Sequence, residues 1–475
     1  MLNAKENIKV EQLHKASMEI LEKFGIKFHL PEALDILKAH GIRVENDIAY
    51  FTEEQLMYWV RKAPSEFKLY ALDDSYDIVI GGDNVHPAPT FGAYQIVDYE
   101  GKARPALLED FINFVKLYEA NPRFKVNGGC CVQPSDIPPE HGIMLMYYAS
   151  YTHSNKCLIT NSGSFDGLAP LFDMVRAAYG DDMEELAAHP KVTTIVNTNS
   201  PLQFDKRMLQ TLITFCRAGQ PINIDTGAMA GSTGPVTYAG NIALGNAEVL
   251  AGIALSQMVR PGTPVMYGST SSGIEMRNAA VAIGSPGASI CFKYATLMAK
   301  YYSLPCRGGG ALSDAKKPDW QAGFESMMTY KTCADNKMNF IIHAAGVLDG
   351  FASASYEKLI MDFEIINFVD RVTKEFDIDE ETLGFEAIEE VGHGGNFLTT
   401  EHTAEYSRIE QVVANLSVRG AADPMQLEKN IQKRINKLYE AYKKPERDEA
   451  VLEKMRAIML TQGVDKKFIE FIDAN

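Results

Sequence analysis

Seven short apolar runs in this chain end on polar or glycine-rich residues, and those ends hold the side chains best able to do chemistry. They are Gly128-Gly129-Cys130, Asn161-Ser162-Gly163, Asn197-Thr198-Asn199-Ser200, Asp225-Thr226-Gly227, Tyr267-Gly268-Ser269, Arg307-Gly308-Gly309-Gly310 and His343-Ala344-Ala345-Gly346. The set is rich in Gly, Ser and Asn, with one Asp, one His, one Arg and one Tyr. Each has a bland reading beside the functional one. Glycines at run ends are commonly turn residues. A histidine on an apolar run is ordinarily buried and hydrogen-bonded. Cys130-Cys131 reads as structural, since no nearby His or basic residue would lower a thiol pKa. His393 and His402 stand nine apart with no cysteine close by, which disfavours zinc. Gly308 to Gly310 lack the Lys-Ser/Thr of a phosphate loop, and neither G-x-G-x-x-G nor G-x-S-x-G occurs in the expected context. These residues alone describe a polar, glycine-lined mouth and leave the reaction class open.

Such ends are meaningful only if something gathers them. From about residue 107 a strand–helix rhythm repeats every 30–45 residues. Strands are predicted at 124–132, 157–161, 192–197, 221–225, 264–268, 305–310 and 339–345, with helices at 107–120, 140–153, 166–179, 205–218, 239–259, 285–302, 318–336 and 355–376. One more strand near 88–97 makes eight. Eight alternating units predict an α/β fold, a (β/α)8 barrel with its function at the strand C-terminal ends. Three amphipathic helices (11–24, 31–39 and one from Thr52 to before Pro64) and a set of hairpins (67–106) form an N-terminal extension over 1–87. The barrel spans 88–376, and Lys/Glu-rich helices occupy 377–475 as a covering segment.

A net charge of −16, from 62 acidic against 46 basic residues, disfavours nucleic acid and anionic membranes as partners. No run of 18 apolar residues occurs and the first ten residues are polar, so neither a membrane span nor a signal peptide is expected. Seven cysteines without C-x-x-C spacing suit a reducing cytoplasm.

Several segments together resemble the trimethylamine methyltransferase superfamily, in its pyrrolysine-lacking form. They are SMEILEKFGIKF (17–28), GNAEVLAGIALSQMVRPGTPVMYG (245–268), GGGALSDAKKPDWQAGFESMM (308–328), HAAGVLDGFASASYEKLIMDFEI (343–365) and GHGGNFLTTEHT (392–403). The resemblance spans nearly the whole chain. It implies a barrel that moves a methyl group from an amine to the Co(I) of a separate corrinoid protein, with no tightly bound cofactor of its own. In trimethylamine members a pyrrolysine lies within or close to the 308–314 loop, where this chain carries Gly310, Ala311 and Leu312. That departure points to a quaternary amine: glycine betaine, proline betaine, carnitine or γ-butyrobetaine. Gly287 stands where many relatives carry Glu, a difference expected to reshape the substrate pocket. The rival readings are a zinc-dependent barrel methyltransferase for methanol or a thiol, and a non-catalytic quaternary-amine binder. A homo-oligomer is compatible with all three.

Such a reaction needs no acid–base pair. It needs positioning, exclusion of water and a grip on a cation. Aromatic faces hold cations, at roughly 0.5–2 kcal/mol each, and Phe91, Tyr94, Tyr267 and Phe351 are the candidates. Arg307 and the backbone at Gly309 and Gly310 are candidates for a carboxylate. Asn199, Asp225, Leu312 and His343 complete the expected substrate site. Gly394, Gly395, Phe397 and His402 are expected on a loop over the mouth, facing the corrinoid.

Overall fold

Eight parallel strands line up side by side at the centre of the molecule. They are β1 (His86–Pro87), β2 (Val126–Gly128), β3 (Cys157–Ile159), β4 (Val192–Asn197), β5 (Ile222–Thr226), β6 (Val265–Ser269), β7 (Cys306–Gly308) and β8 (Phe340–Ile341). Their spatial order is β1-β8-β7-β6-β5-β4-β3-β2, all parallel, so the barrel seam falls between β1 and β2. Above the paired residues, the Gly92 N–H donates across that seam to the Cys130 carbonyl at 2.7 Å. The computed structural model describes residues 3–411, 413–420 and 423–475.

Each strand feeds a helix that returns along the outside: α1 (Leu108–Glu119), α2 (Gly142–His153), α3 (Phe165–Tyr179), α4 (Lys206–Arg217), α5 (Tyr238–Val259), α6 (Pro286–Tyr301), α7 (Trp320–Asp335) and α8 (Tyr356–Thr373). Side-chain caps set several starts: Asp205 accepts from Met208 N–H, Ser285 from Ala288 N–H with Pro286 following, and Asp319 from Gln321 and Ala322 N–H. The expected (β/α)8 barrel is present.

The first strand is shorter than the run near 88–97 suggested. Pro87 and Pro89 lack N–H donors and limit the ladder. Gln95–Val97 belongs instead to a separate sheet at the strand C-terminal end, with Ala103–Pro105, Ser353–Ala354 and Val347–Leu348. A hairpin, Glu66–Leu69 with Ile78–Gly81, plugs the opposite end. Its Phe67, Leu69, Ile78 and Ile80 meet Val126, Cys157, Ile159, Ile195, Met266 and Phe340 inside the barrel. The lower barrel is therefore solid core, and the open chemistry lies at the top.

Helix α5 is apolar all round and long enough by composition to cross a membrane, yet it is buried. The N-terminal helices Ala4–Lys23 and Glu53–Val60 pack on α5, and Ala4–Lys23 also on α6. The N-terminal extension also holds strands at Ile26–Phe28, Arg43–Glu45 and Ile48–Tyr50. The first pairs in parallel with Gln203–Phe204 of the β4–α4 connection. At the other terminus, Gln426–Ala441 packs on α8 and α1, Glu449–Thr461 on α3 and Lys466–Ala474 on α2. These helices flank the barrel wall.

Candidate active site

Asn197, Asp225, Gly268 and Arg307 are successive register partners across β4, β5, β6 and β7. On β5, Ile222 and Ile224 pack outward against the helices, so Asn223 and Asp225 turn inward by alternation. Asp225 Oδ1 meets Arg307 Nη1 at 2.6 Å, and Thr270 Oγ1 donates to Asp225 Oδ2 at 2.7 Å. The ion pair crosses β6 above Gly268. A Cβ there would lie 2.7 Å from Asp225 Oδ1 and 3.1 Å from Arg307 Cδ. Gly268 is the gap that lets the pair form. Arg307 is 1% exposed. Burial pushes the Asp225 carboxyl up and the Arg307 guanidinium down from their usual pKa, and the contact between them opposes both shifts.

His343 follows β8 with φ at +56°, a left-handed backbone that a non-glycine residue seldom adopts. The Phe91 N–H donates to its Nδ1 at 3.1 Å, which leaves the ring proton on Nε2. Burial, then the nearby Arg307 charge, lowers the His343 pKa to about 3. It is a neutral hydrogen-bond donor across the working pH range. The Phe351 ring lies 4.7 Å from it, tilted by 49°. Phe351 ends the run Asp349-Gly350-Phe351, in which φ is +53°, +59° and +75°. Strain of this kind, about 1–3 kcal/mol per non-glycine residue, persists where surrounding structure imposes it and gathers at functional sites.

The glycine stretch does something other than expected. A Cβ on Gly308 would lie 2.5 Å from Met338 Cε, and one on Gly309 would overlap the Phe292 ring. On Gly310 it would lie 2.6 Å from the Ile342 carbonyl oxygen and closer still to the His343 carbonyl. The space the glycines leave is filled by protein. Gly309, Gly310 and Leu312 are buried, and the Leu312 N–H donates to Thr329 Oγ1 at 3.0 Å. They support His343 from behind and do not form an open floor.

The loop after β7 is tied to both neighbours. Asp314 accepts from Ile283 N–H at 3.1 Å and Gly284 N–H at 2.8 Å in the β6–α6 loop. Glu325 accepts from Ser313 Oγ and from Asp314 N–H, both at 2.8 Å. Lys358, fully buried, pairs with Asp362 at 2.6 Å, and Asp362 accepts from Gly346 N–H at 2.7 Å. Burial, then the Glu325 charge, raises the Asp314 pKa to about 6. Protonation there weakens both bonds to the β6–α6 loop. The folded state holds this proton more tightly than the unfolded chain does, so acidification between pH 6 and 4 does not unfold the protein through this group. Activity is expected to fall on the acid side with an apparent pKa near 6 while Tm is maintained. Asp314→Asn is expected to remove that limb and to run at the low-pH rate throughout, as a pH–rate profile would show.

The other expected residues divide. Phe91 lies half-buried beside Gly129, whose Cβ would be 2.9 Å from its ring. Tyr94 is 54% exposed on the rim. Asn199 sits two residues beyond the strand end, its N–H donating to the Gln203 carbonyl at 2.7 Å. Tyr267 points outward, with its hydroxyl donating to Asn246 at 3.0 Å in a cluster with Tyr302 and His14. It is a wall residue, because alternation on β6 sends Met266 and Gly268 inward. Gly287 lies in the first turn of α6, where a Cβ would strike the Tyr238 hydroxyl, so it shapes the helix wall. Gly394, Gly395, Phe397 and His402 fall in a small helical satellite tied to the end of α8 through Arg371 and Glu410. That end lies away from the mouth, because α8 starts at the strand C-terminal side and runs down.

Three mouth residues outside the expected substrate site gain a place in the structure: Asn161 and Asn197, both at strand ends in the sequence, and Thr270. Asn197 is exposed at the end of β4 beside Asp225, Asn161 keeps a buried Oδ1 without a partner among the described residues, and Thr270 orients Asp225. Behind them Glu248, buried on α5, accepts from Thr198, Ser200 and Thr226 hydroxyls at 2.6–2.8 Å and from Leu202 N–H at 2.7 Å. A lone Glu inside an apolar helix was the signal, since burial of a carboxylate demands such partners.

Residues 2–464 match the trimethylamine methyltransferase (MTTB) family model. A glycine betaine methyltransferase of Desulfitobacterium hafniense (strain Y51) is 38% identical over 463 residues, 96% of each chain. A proline betaine:corrinoid methyltransferase of Eubacterium limosum is 31% identical over 87% of each. The trimethylamine methyltransferase MttB of Methanosarcina thermophila is 30% identical over 85% of each. With its barrel, its neutral polar mouth and a match over nearly its full length, this chain belongs to the trimethylamine methyltransferase family and is a methyltransferase.

Proposed function

We propose that the chain takes a methyl group from a quaternary ammonium of the betaine type and passes it to Co(I) carried by a separate corrinoid protein. The observation that carries this reading is the charge state of the mouth. Its histidine is neutral, its arginine is paired with Asp225 through Nη1, the half-buried Phe351 ring lies 4.7 Å from that histidine, and the backbone N–H of half-buried Phe91 donates to it. Such a site supplies no proton. A quaternary ammonium requires none: the C–N bond pair stays on nitrogen as the lone pair of a neutral tertiary amine, and the acceptor metal provides the two electrons of the new bond to methyl. Aromatic faces favour the cation, and the neutral His343 Nε2–H and the Asn197 amide are donors for a carboxylate at the other end of the substrate. What the chain contributes is alignment and a dry pocket, terms worth up to about 7–11 kcal/mol at best. The 38% identical relative named for glycine betaine supports this substrate class. Seven buried free cysteines suit a reducing compartment.

The test mixes the enzyme with Co(I) corrinoid protein and, in turn, glycine betaine, proline betaine, carnitine and γ-butyrobetaine. One of them is expected to produce methyl-Co(III) absorbance. Silence with all four would sink the reading.

A further inference from the structure

We propose that the corrinoid-carrying partner docks on the rim between the β6–α6 and β7–α7 loops, with Trp320 as its anchor. The proposal rests on the function just given. Trp320 opens α7 and is 81% exposed; Phe324, one turn on, is 53% exposed, and the two rings lie 5.4 Å apart. In the β6–α6 loop, Met276 and Val281 are 69% and 41% exposed. A groove of about 700 Å³ lies between the two loops, with Phe324 and Val281 in its walls and Asp314 in its lining. A monomer gains nothing from presenting a tryptophan to water, and buried Trp anchors dominate protein interfaces.

Position selects the occupant. Helices α6 and α7 begin where β6 and β7 end, so this rim borders the mouth. An acceptor bound to another protein must come to that mouth, and the protein carrying it must rest on whatever surrounds the opening. A second copy of this chain seated there would close the mouth to a separate acceptor. The anchor is also rigid: Asp319 caps the helix at Trp320, and the same helix carries Glu325, which holds the β7 loop. A partner gripping Trp320 thus bears on the element that backs His343.

The experiment compares Trp320→Ala and Phe324→Ala with the parent, using two acceptors. One is each corrinoid-binding protein of the source organism, produced with cobalamin bound. The other is free cob(I)alamin. Each variant is expected to raise KM for the protein acceptor at least tenfold. Rates with free cob(I)alamin and binding of the quaternary amine by calorimetry are expected to stay within twofold. An unchanged KM for a protein acceptor that the parent methylates overturns the docking site alone. A change of oligomeric state with unchanged KM overturns it in favour of a contact between copies. A parent that methylates no corrinoid acceptor overturns the function and the docking site together.

Discussion

Gly310→Ala is expected to abolish methyl transfer, with at least a hundredfold loss in kcat and a lower Tm. The reason is the identity of the atoms the new methyl would meet. They are the carbonyls of Ile342 and His343, which belong to the backbone and have no alternative rotamer. The Ala311 N–H donates to that same His343 carbonyl at 3.1 Å. To admit the methyl, either the β7 loop or the turn at His343 must move. That turn holds a positive φ and places both the His343 ring and, through Nδ1, the Phe91 backbone. Overpacking against rigid atoms costs about 1–3 kcal/mol, and a displacement of about 1 Å at a positioning site costs on the order of 100-fold in rate. Gly323→Ala on α7 is the control, because a Cβ there meets nothing within 4 Å. It is expected to raise stability by about 0.5–1 kcal/mol and leave the rate alone. Equal rates for the two variants would show that the glycines matter only as loop residues.

That outcome bears on how much of the site could be read from the chain. Alternation of apolar runs with amphipathic helices is a local property, so the barrel and its helix limits were legible to within a few residues. Asp225, Arg307 and His343 were legible as strand-end oddities in apolar runs. Their relation was not, because it depends on register. One residue of slip on β6 would turn Gly268 outward and bring Tyr267 in, and nothing in the sequence excludes that arrangement. The direction of the glycines was also hidden. Three glycines announce close approach, but whether a ligand or Phe292, Met338 and His343 approaches is a tertiary fact. The satellite around His402 was misplaced for a similar reason: its composition resembled a mouth loop, while its position follows from the downward run of α8.

The buried pair itself gives the other large effect. Arg307→Met leaves Asp225 without its cation, nearly solvent-free and hydrogen-bonded through its side chain to Thr270. Removing one partner of such a pair costs roughly 3–5 kcal/mol, which for a chain of this length corresponds to a fall in Tm of about 3–5 °C. Without the guanidinium, the Asp225 pKa rises further, so folding favours its protonated form. The stability deficit is therefore expected to be largest at high pH and to shrink as pH falls, since protonation removes the buried charge. His343 also loses a neighbouring cation, and its pKa moves up toward the ordinary range. Asp225→Asn with Arg307→Met takes out both charges and is expected to recover most of the lost Tm. Activity is expected to stay at least tenfold down, because the row from Asn197 to Arg307 no longer fixes the wall beside His343. Calorimetric unfolding across pH, read beside methyl-transfer rates for the single and double variants, separates the two roles. Recovery of rate together with Tm in the double variant would reduce the pair to scaffold. Recovery of Tm alone would place it in the positioning machinery of the mouth.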